Sequence, residues 1–452
     1  MKKCFLTLLL VAMFSLVACN FNEVQVAVGT AETNQEAIVN GKVPFARAIS
    51  NADFVFKNIE SLNHKKRKVK SVDVLTKSSS RISRSSLQDE QEQPLAYVVN
   101  YENNEGYAIL AANTKLPPVI SIGDEGNFNT EGFVEFTQNG GNTRSGTSGN
   151  LNPAQEIQYA LVNNSLLLPQ MDFDDVPIIG RDTTVLLKCL PLVSTKWDQR
   201  DPYNYYAPLD NNNDEKSIAG CVPVAGAQTL ASLCYHHNWR PTIQLSEVYT
   251  VDWSTINRLI FNDIIRFESG DYSSNALAVA SLIRAVGEDV NASYGSSITL
   301  AMTSLLKRTF QRLGMALPLY GNANSLPSIT HSDLFNMVVT KNYPVVTSAN
   351  TITEEVGHSF VLDGWLRLEY SLLLSDTEDA ASMRSVELEN FQFNFDLVHI
   401  NLGWNGQCDG YYLPDAFDLT EDKYREYAEE QDEEHASLYV FDMNVKYLIY
   451  DL

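Results

Sequence analysis

The stretch Ser217-Ile218-Ala219-Gly220-Cys221-Val222-Pro223-Val224-Ala225-Gly226-Ala227-Gln228, running on through Thr229-Leu230-Ala231-Ser232-Leu233-Cys234-Tyr235-His236, decides how this chain is read. From Ala225 to Tyr235 it is a run of good helix formers, and Pro223 suits a first helical turn, where no backbone N–H is required of it. Cys221 therefore falls at a helix N-terminus. The positive end of a helix dipole stabilises a thiolate there, which is what a nucleophilic sulfur needs. Gly220 lets the backbone pass close to a bound molecule, and the free N–H of Cys221 can point at a developing oxyanion. The alternative for Cys221 is a small apolar residue packed at a helix start.

A thiolate near neutral pH needs a proton partner, and Gly357-His358-Ser359-Phe360-Val361-Leu362-Asp363-Gly364-Trp365 offers one. Phe360-Val361-Leu362 has the signature of a buried strand, and Gly357 leaves room for His358 at a strand edge facing a cleft. The imidazole of His358 could share a proton with Cys221 and later protonate a leaving amine. Other polar residues carry less chemistry. Cys234, His236 and His237 do not share a helix face and are expected to end the helix rather than bind a metal. Asp363 reads as a turn former before Gly364, and His399 as a strand residue.

Working toward the N-terminus, the chain divides into segments. The linker QNGGNTRSGTSGNLN over residues 138–152 is the clearest boundary. Residues 153–168 look helical. Before the linker, Tyr97-Val98-Val99-Asn100-Tyr101 and Tyr107-Ala108-Ile109-Leu110 flank a Gly/Asn turn and predict a hairpin, and Val119-Ile120-Ser121-Ile122 predicts a further strand ending at Gly123-Asp124-Glu125-Gly126. Residues 46–62, with Ile49, Phe54, Val55, Ile59 and Leu62 spaced along them, suit an amphipathic helix. Together they make a small α+β domain over residues 46–137. Residues 64–70 and 78–86 are basic and Ser/Arg-rich loop. Residues 19–45 read as a tether.

The first 18 residues carry Lys2 and Lys3, then an apolar run, then Leu16-Val17-Ala18-Cys19, which resembles a bacterial lipobox. The expectation is a secretory signal peptide of residues 1–18, lipidation of Cys19, and attachment of the exported protein to a membrane through that lipid. The alternative is a plain secreted protein. The whole chain of 452 residues is 44% hydrophobic, enough to bury a core, and its net charge of −23 excludes a general nucleic-acid binder. With Cys4 lost and Cys19 lipidated, Cys189, Cys221, Cys234 and Cys408 remain, and a catalytic thiol among them must stay free, leaving room for one disulfide at most.

Three further segments complete a family resemblance. Thr195-Lys196-Trp197-Asp198-Gln199 with Pro202-Tyr203-Asn204, then the cysteine and histidine segments, then His399-Ile400-Asn401-Leu402-Gly403-Trp404-Asn405-Gly406 to Asp409-Gly410-Tyr411-Tyr412 resemble the streptopain-type (C10) cysteine peptidases in order and spacing. The resemblance spans most of residues 185–412. It implies a papain-like α+β enzyme, with a helical lobe and an antiparallel sheet lobe over residues 185–452, that hydrolyses peptide bonds of protein or peptide substrates without metal or organic cofactor. It implies Cys221 as nucleophile, His358 as base, Gln199 as side-chain oxyanion donor and Asn401 as the residue orienting the imidazole. Gly220, Gly357 and Trp404 would line the cleft, with Trp404 shielding the pair from water. Residues 46–137 resemble the inhibitory prodomain of these zymogens, so the chain's own prodomain would be its intramolecular inhibitor, with residues 138–184 as linker and maturation region.

Two departures stand out. Leu402 occupies the place of the first tryptophan of the family's Trp-Gly-Trp motif, and residues 366–396 form a longer, acidic segment than the family's turn, read as a surface lobe that restricts or recruits substrates. Leu402 supports a rival reading from another class: a catalytically weak or silent surface lipoprotein that uses this fold to bind a protein partner.

Overall fold

The computed structural model describes residues 38, 41–59, 67–76, 94–138, 151–168, 178–241, 244–326, 328–350, 357–375, 388–417 and 445–452. The leader of residues 1–18, Cys19, residues 78–86 and residues 139–150 lie outside them. The N-terminal part runs α1 (Phe45–Ile59), β1 (Val69–Thr76), β2 (Pro94–Tyr101), β3 (Tyr107–Ala111), β4 (Val119–Gly123) and α2 (Thr130–Gln138). Alternation explains its layers. Ala96, Val98, Tyr107, Ile109 and Ala111 point to one face of the sheet, and Tyr97, Val99, Tyr101, Ala108 and Leu110 to the other. On the second face α1 buries Ala48, Ala52, Val55 and Phe56, the i, i+4, i+7, i+8 set of an amphipathic helix. On the first, Phe128, Phe133, Phe136 and Tyr159 cluster edge-to-face and tilted with ring centroids 5.4–5.7 Å apart.

Tyr159 belongs to α3 (Pro153–Leu166), where Asn152 and Gln155 form a capping box and Pro153 takes a first-turn position. The helix is buried along nearly its whole length, and Asn164 donates to the Ala416 carbonyl at 3.1 Å. Its Gln158 donates to Tyr107 Oη at 2.8 Å, and Tyr107 Oη meets Tyr412 Oη at 2.9 Å. Part of the stretch expected as linker is thus core between the two units, because its apolar residues find faces on both. β5 (Ile178–Cys189), also in that stretch, pairs with the sheet of the second unit.

The second unit continues with α4 (Cys221–His236), α5 (Trp253–Phe261), α6 (Ser274–Asp289), α7 (Leu306–Arg312), β6 (Ala316–Gly321), α8 (His331–Phe335), β7 (Val345–Asn350), β8 (Gly357–Ser375), β9 (Leu388–Asn401), β10 (Gly410–Tyr412) and β11 (Lys446–Asp451). Helix α4 is apolar all round and buried from Val222 to Cys234 against α5, α6 and β8, the place such a helix must take. Side-chain caps start its neighbours: Asp252 accepts from Thr255 N and Ser273 from Ala276 N. Among the described residues the strands form one eleven-stranded sheet in the order β1-β2-β3-β4-β10-β9-β8-β7-β11-β6, with β5 also on β8, and every pairing between strands is antiparallel. β4 and β10 join the two units.

Of the segment 366–396, residues 366–375 and 388–396 are strand, and residues 376–387 lie outside the described residues. Its described residues extend the antiparallel pair β8 and β9 with β5 alongside β8, and Leu366, Leu368 and Tyr370, with Leu397 just after the segment, are fully buried in the same cluster as the apolar face of α1. It therefore presents an apolar shelf on which the N-terminal unit packs. No helix among the described residues is long and apolar enough to cross a membrane.

Candidate active site

Cys221 is the first residue of α4, and Gly220 before it has φ 92°. A side chain at Gly220 would also approach Thr299 Cγ2 to 2.8 Å, so both backbone and space call for glycine. The preceding loop is held from two sides. Ala219 N–H donates to the Gln199 carbonyl at 2.7 Å and Asn204 Nδ2 to the Ser217 carbonyl at 2.8 Å, while Thr299 Oγ1 donates to the Ile218 carbonyl at 2.7 Å. Gln199 is buried beside this loop.

His358 is the second residue of β8, paired with Ala349 of β7, after an exposed Gly357 paired with Asn350. Its neighbour Ser359 lies near the head of α4, where its polar groups act to lower the pKa of the Cys221 thiol. Ser359 Oγ also meets Thr303 Oγ1 at 2.5 Å. Helix α4 packs on β8. His358 itself is buried, and its Nε2 donates to the Leu402 carbonyl at 2.7 Å. Burial lowers its pKa to about 4, against the raising effect of that bond, so the ring is neutral with the proton on Nε2. Burial likewise raises the Cys221 thiol, with the Ser359 and helix N–H groups opposing, and the expected lowering at the helix end does not win here. In this arrangement the sulfur and the imidazole are each uncharged.

Trp404 lies over the imidazole, ring centroids 6.3 Å apart at 42°. Residues 197–412 match the model of the "Peptidase C10 family", and residues 47–138 that of the "Spi protease inhibitor". The segment 197–412 is a cysteine peptidase of the C10 family. The unit before it is an inhibitor-like prodomain. Among solved structures, a mutant fragment of Prevotella intermedia prointerpain A is 17% identical, with 78% of this chain and 94% of that chain covered and a TM-score of 0.44. Active wild-type interpain A of the same organism is 20% identical, covering 58% of this chain and 94% of that one, at a TM-score of 0.37. No curated protein matches the chain in sequence.

In this C10 peptidase Asn401 does not bond to the imidazole. Its Nδ2 donates to the Thr195 carbonyl at 2.7 Å, and its Oδ1 accepts from Gln228 Nε2 at 2.9 Å and from Gly403 N–H at 3.1 Å. The contact with His358 comes from the carbonyl of the next residue, Leu402, whose N–H donates to Asp409 Oδ1 at 2.7 Å. Gln228, which closes the quoted cysteine stretch, was given no role from sequence. It is fully buried on α4, seven residues and so two turns after Cys221, and also accepts from Thr195 Oγ1 at 2.9 Å. It ties the cysteine helix to the strand that carries Asn401; a lone amide in an apolar helix is the signal that pointed to it.

A second polar cluster lies on β8 and β9. Asp363 is the extra residue of a bulge between Leu362 and Gly364, inside the strand rather than in a turn. The bulge aims its Oδ1 at His399 Nδ1, 2.6 Å away, while Oδ2 accepts from Val193 N–H at 2.8 Å. The other ring nitrogen of His399 faces Asp124 of the prodomain at 3.0 Å. Burial alone would lower His399, but the two carboxylates outweigh it and hold the imidazole well above its usual value. The four described cysteines are free thiols. His236 and His237 end α4 on the carbonyls of Leu192 and Asn342, both at 2.9 Å.

Proposed function

We propose that the chain is an exported, lipid-anchored zymogen of a cysteine endopeptidase that cleaves protein or peptide substrates with Cys221 as nucleophile and His358 as base. The observation that carries this reading is that α4, headed by Cys221, packs on β8, the strand whose second residue is His358. Export and the lipid on Cys19 rest on the leader sequence.

In the reaction, the sulfur bonds to the scissile carbonyl carbon while its proton passes to His358. The oxyanion that forms lies beside the Cys221 N–H, unsatisfied at a helix start, with the Gln199 side chain as the second donor. The C–N bond breaks as His358 gives its proton to the leaving amine, and a thioester remains. Water, deprotonated by His358, then releases the acid product and restores the thiol. For this cycle His358 must leave the Leu402 carbonyl and meet the sulfur, so the uncharged groups described above are the resting state of the zymogen. Trp404 over the imidazole limits water at the pair. Prodomain removal would then free the cleft.

The uncharged sulfur and imidazole also favour a second reading, a silent binding protein on the same fold. Treating prodomain-free protein with an irreversible thiol-directed peptidase inhibitor and mapping the adduct separates the two. A stoichiometric adduct on Cys221, with loss of peptide cleavage, supports the enzyme. An unlabelled Cys221 in correctly processed protein sinks it.

A further inference from the structure

The prodomain turn Gly123-Asp124-Glu125-Gly126 reaches the peptidase at the seam between β4 and β10, where Gly123 pairs with Gly410 and Asp124 N–H donates to the Asp409 carbonyl at 3.0 Å. Both acidic side chains then meet cations of the other unit. Asp124 Oδ2 is 3.0 Å from His399 Nε2, and Glu125 pairs with Lys196 Nζ at 3.2 Å and with Arg266. His399 is only 2% exposed and backed by Asp363, which is wholly buried. A side chain at Gly406 would collide with the Glu125 carboxylate, so glycine there opens the space that Glu125 fills.

We propose that His399, Arg266 and Lys196 form a receptor site on the peptidase for the acidic turn Asp124-Glu125, and that this site holds the prodomain on the enzyme. The inference rests on the zymogen reading above. Three cations converging at one spot is notable in a chain of net charge −23. Asp363 uses one ring nitrogen of His399 and leaves the other pointing at the seam as a donor that, among the described residues, the prodomain carboxylate of Asp124 meets. The ligand it selects is a carboxylate on the turn after an edge strand, seated by the strand pairing itself. Asp124 is 27% exposed, as Glu125, Lys196 and Arg266 are at 22–33%, so water screens all four; the Asp124 contact weighs more because its partner, His399, is only 2% exposed.

The test uses the full chain with a site for a specific protease placed within residues 139–150. After the cut, release of the N-terminal fragment is followed by gel filtration, and Cys221 labelling by a thiol-directed inhibitor is followed in parallel. Removing the carboxylate that faces a buried imidazole acts mainly on the dissociation rate, so Asp124→Asn should release the fragment about 10-fold faster or more, and Glu125→Gln only a few-fold faster. High salt should speed release in the wild type as well, a readout that needs no variant. Asp124→Asn releasing at the wild-type rate, with wild-type release indifferent to salt, overturns the receptor site. If instead Asp124→Asn accelerates release while Cys221 labels equally fast with the fragment bound, the receptor stands and the inhibitory role of the prodomain falls.

Discussion

Replacing Gln228 with leucine removes the clamp between the cysteine helix and the strand preceding Trp404 at nearly constant volume. Three hydrogen bonds go: Thr195 Oγ1 and Trp197 N–H lose their acceptor, at 2.9 and 3.4 Å, and Asn401 Oδ1 loses the 2.9 Å donor, keeping only Gly403 N–H. The long Trp197 bond counts for little. Leaving each of the other two buried groups short of a partner costs roughly 1–3 kcal/mol, so the change should lower stability by about 2–6 kcal/mol. That is a large share of the ~5–15 kcal/mol by which folded proteins exceed their unfolded states. Urea unfolding in a Cys221→Ala background, where self-cleavage does not intervene, measures it. Gln228→Leu and Asn401→Leu should also be non-additive by about 0.5–3 kcal/mol in a double-mutant cycle, since they share bonds. A Gln228→Leu chain within about 0.5 kcal/mol of its parent, with additive effects, would refute the clamp.

Gly220→Ala forces a side chain onto φ 92° and against Thr299, so it should fold yet cut peptide cleavage severely by displacing Cys221; wild-type turnover would show that the loop tolerates the change. Ser359→Ala removes a hydroxyl that helps lower the Cys221 thiol but keeps the backbone N–H, whose effect is larger, so the pH midpoint of Cys221 alkylation should rise slightly; a fall would contradict this role. The stability difference between wild type and Asp124→Asn should depend on pH on both sides. His399 is raised above 6.5, so its contribution is full below 6.5 and fades as pH climbs through the raised value; Asp124 is lowered below 3.8, so its contribution is full above 3.8 and fades as pH falls through the lowered value. The difference should therefore be largest and flat between pH 3.8 and 6.5, and a difference constant from pH 2 to 10 would contradict the pairing.

Local signals were legible because they depend on residues close in sequence. The helix from Cys221 follows from its formers and Pro223, and the β2–β3 hairpin from alternation around a turn. Trp404 beside His358 was also expected. What sequence could not supply are pairings set by the sheet. Asp363 looked like a turn residue because Gly364 follows it, yet a bulge inside β8 turns it to His399, which in turn meets Asp124 at a separation of 275 residues. Asn401 was expected at the imidazole, and the bond comes instead from the backbone beside it because Gln228 and Thr195 occupy its amide. The start of the segment after Trp365 was read with its acidic middle as surface, while its alternate apolar residues Leu366, Leu368 and Tyr370 were the sign of a strand with something packed on it; the acidic residues 376–387 lie outside the described residues.

The pairing of sulfur and imidazole is tested most directly by alkylating Cys221 in prodomain-free peptidase at pH 6, with and without His358→Ala. With the pair formed, the wild-type sulfur reacts as a thiolate, and the variant should react about 100-fold more slowly, as a cysteine of ordinary pKa of about 8.5 would. Equal rates in the two proteins would mean that His358 does not ionise Cys221.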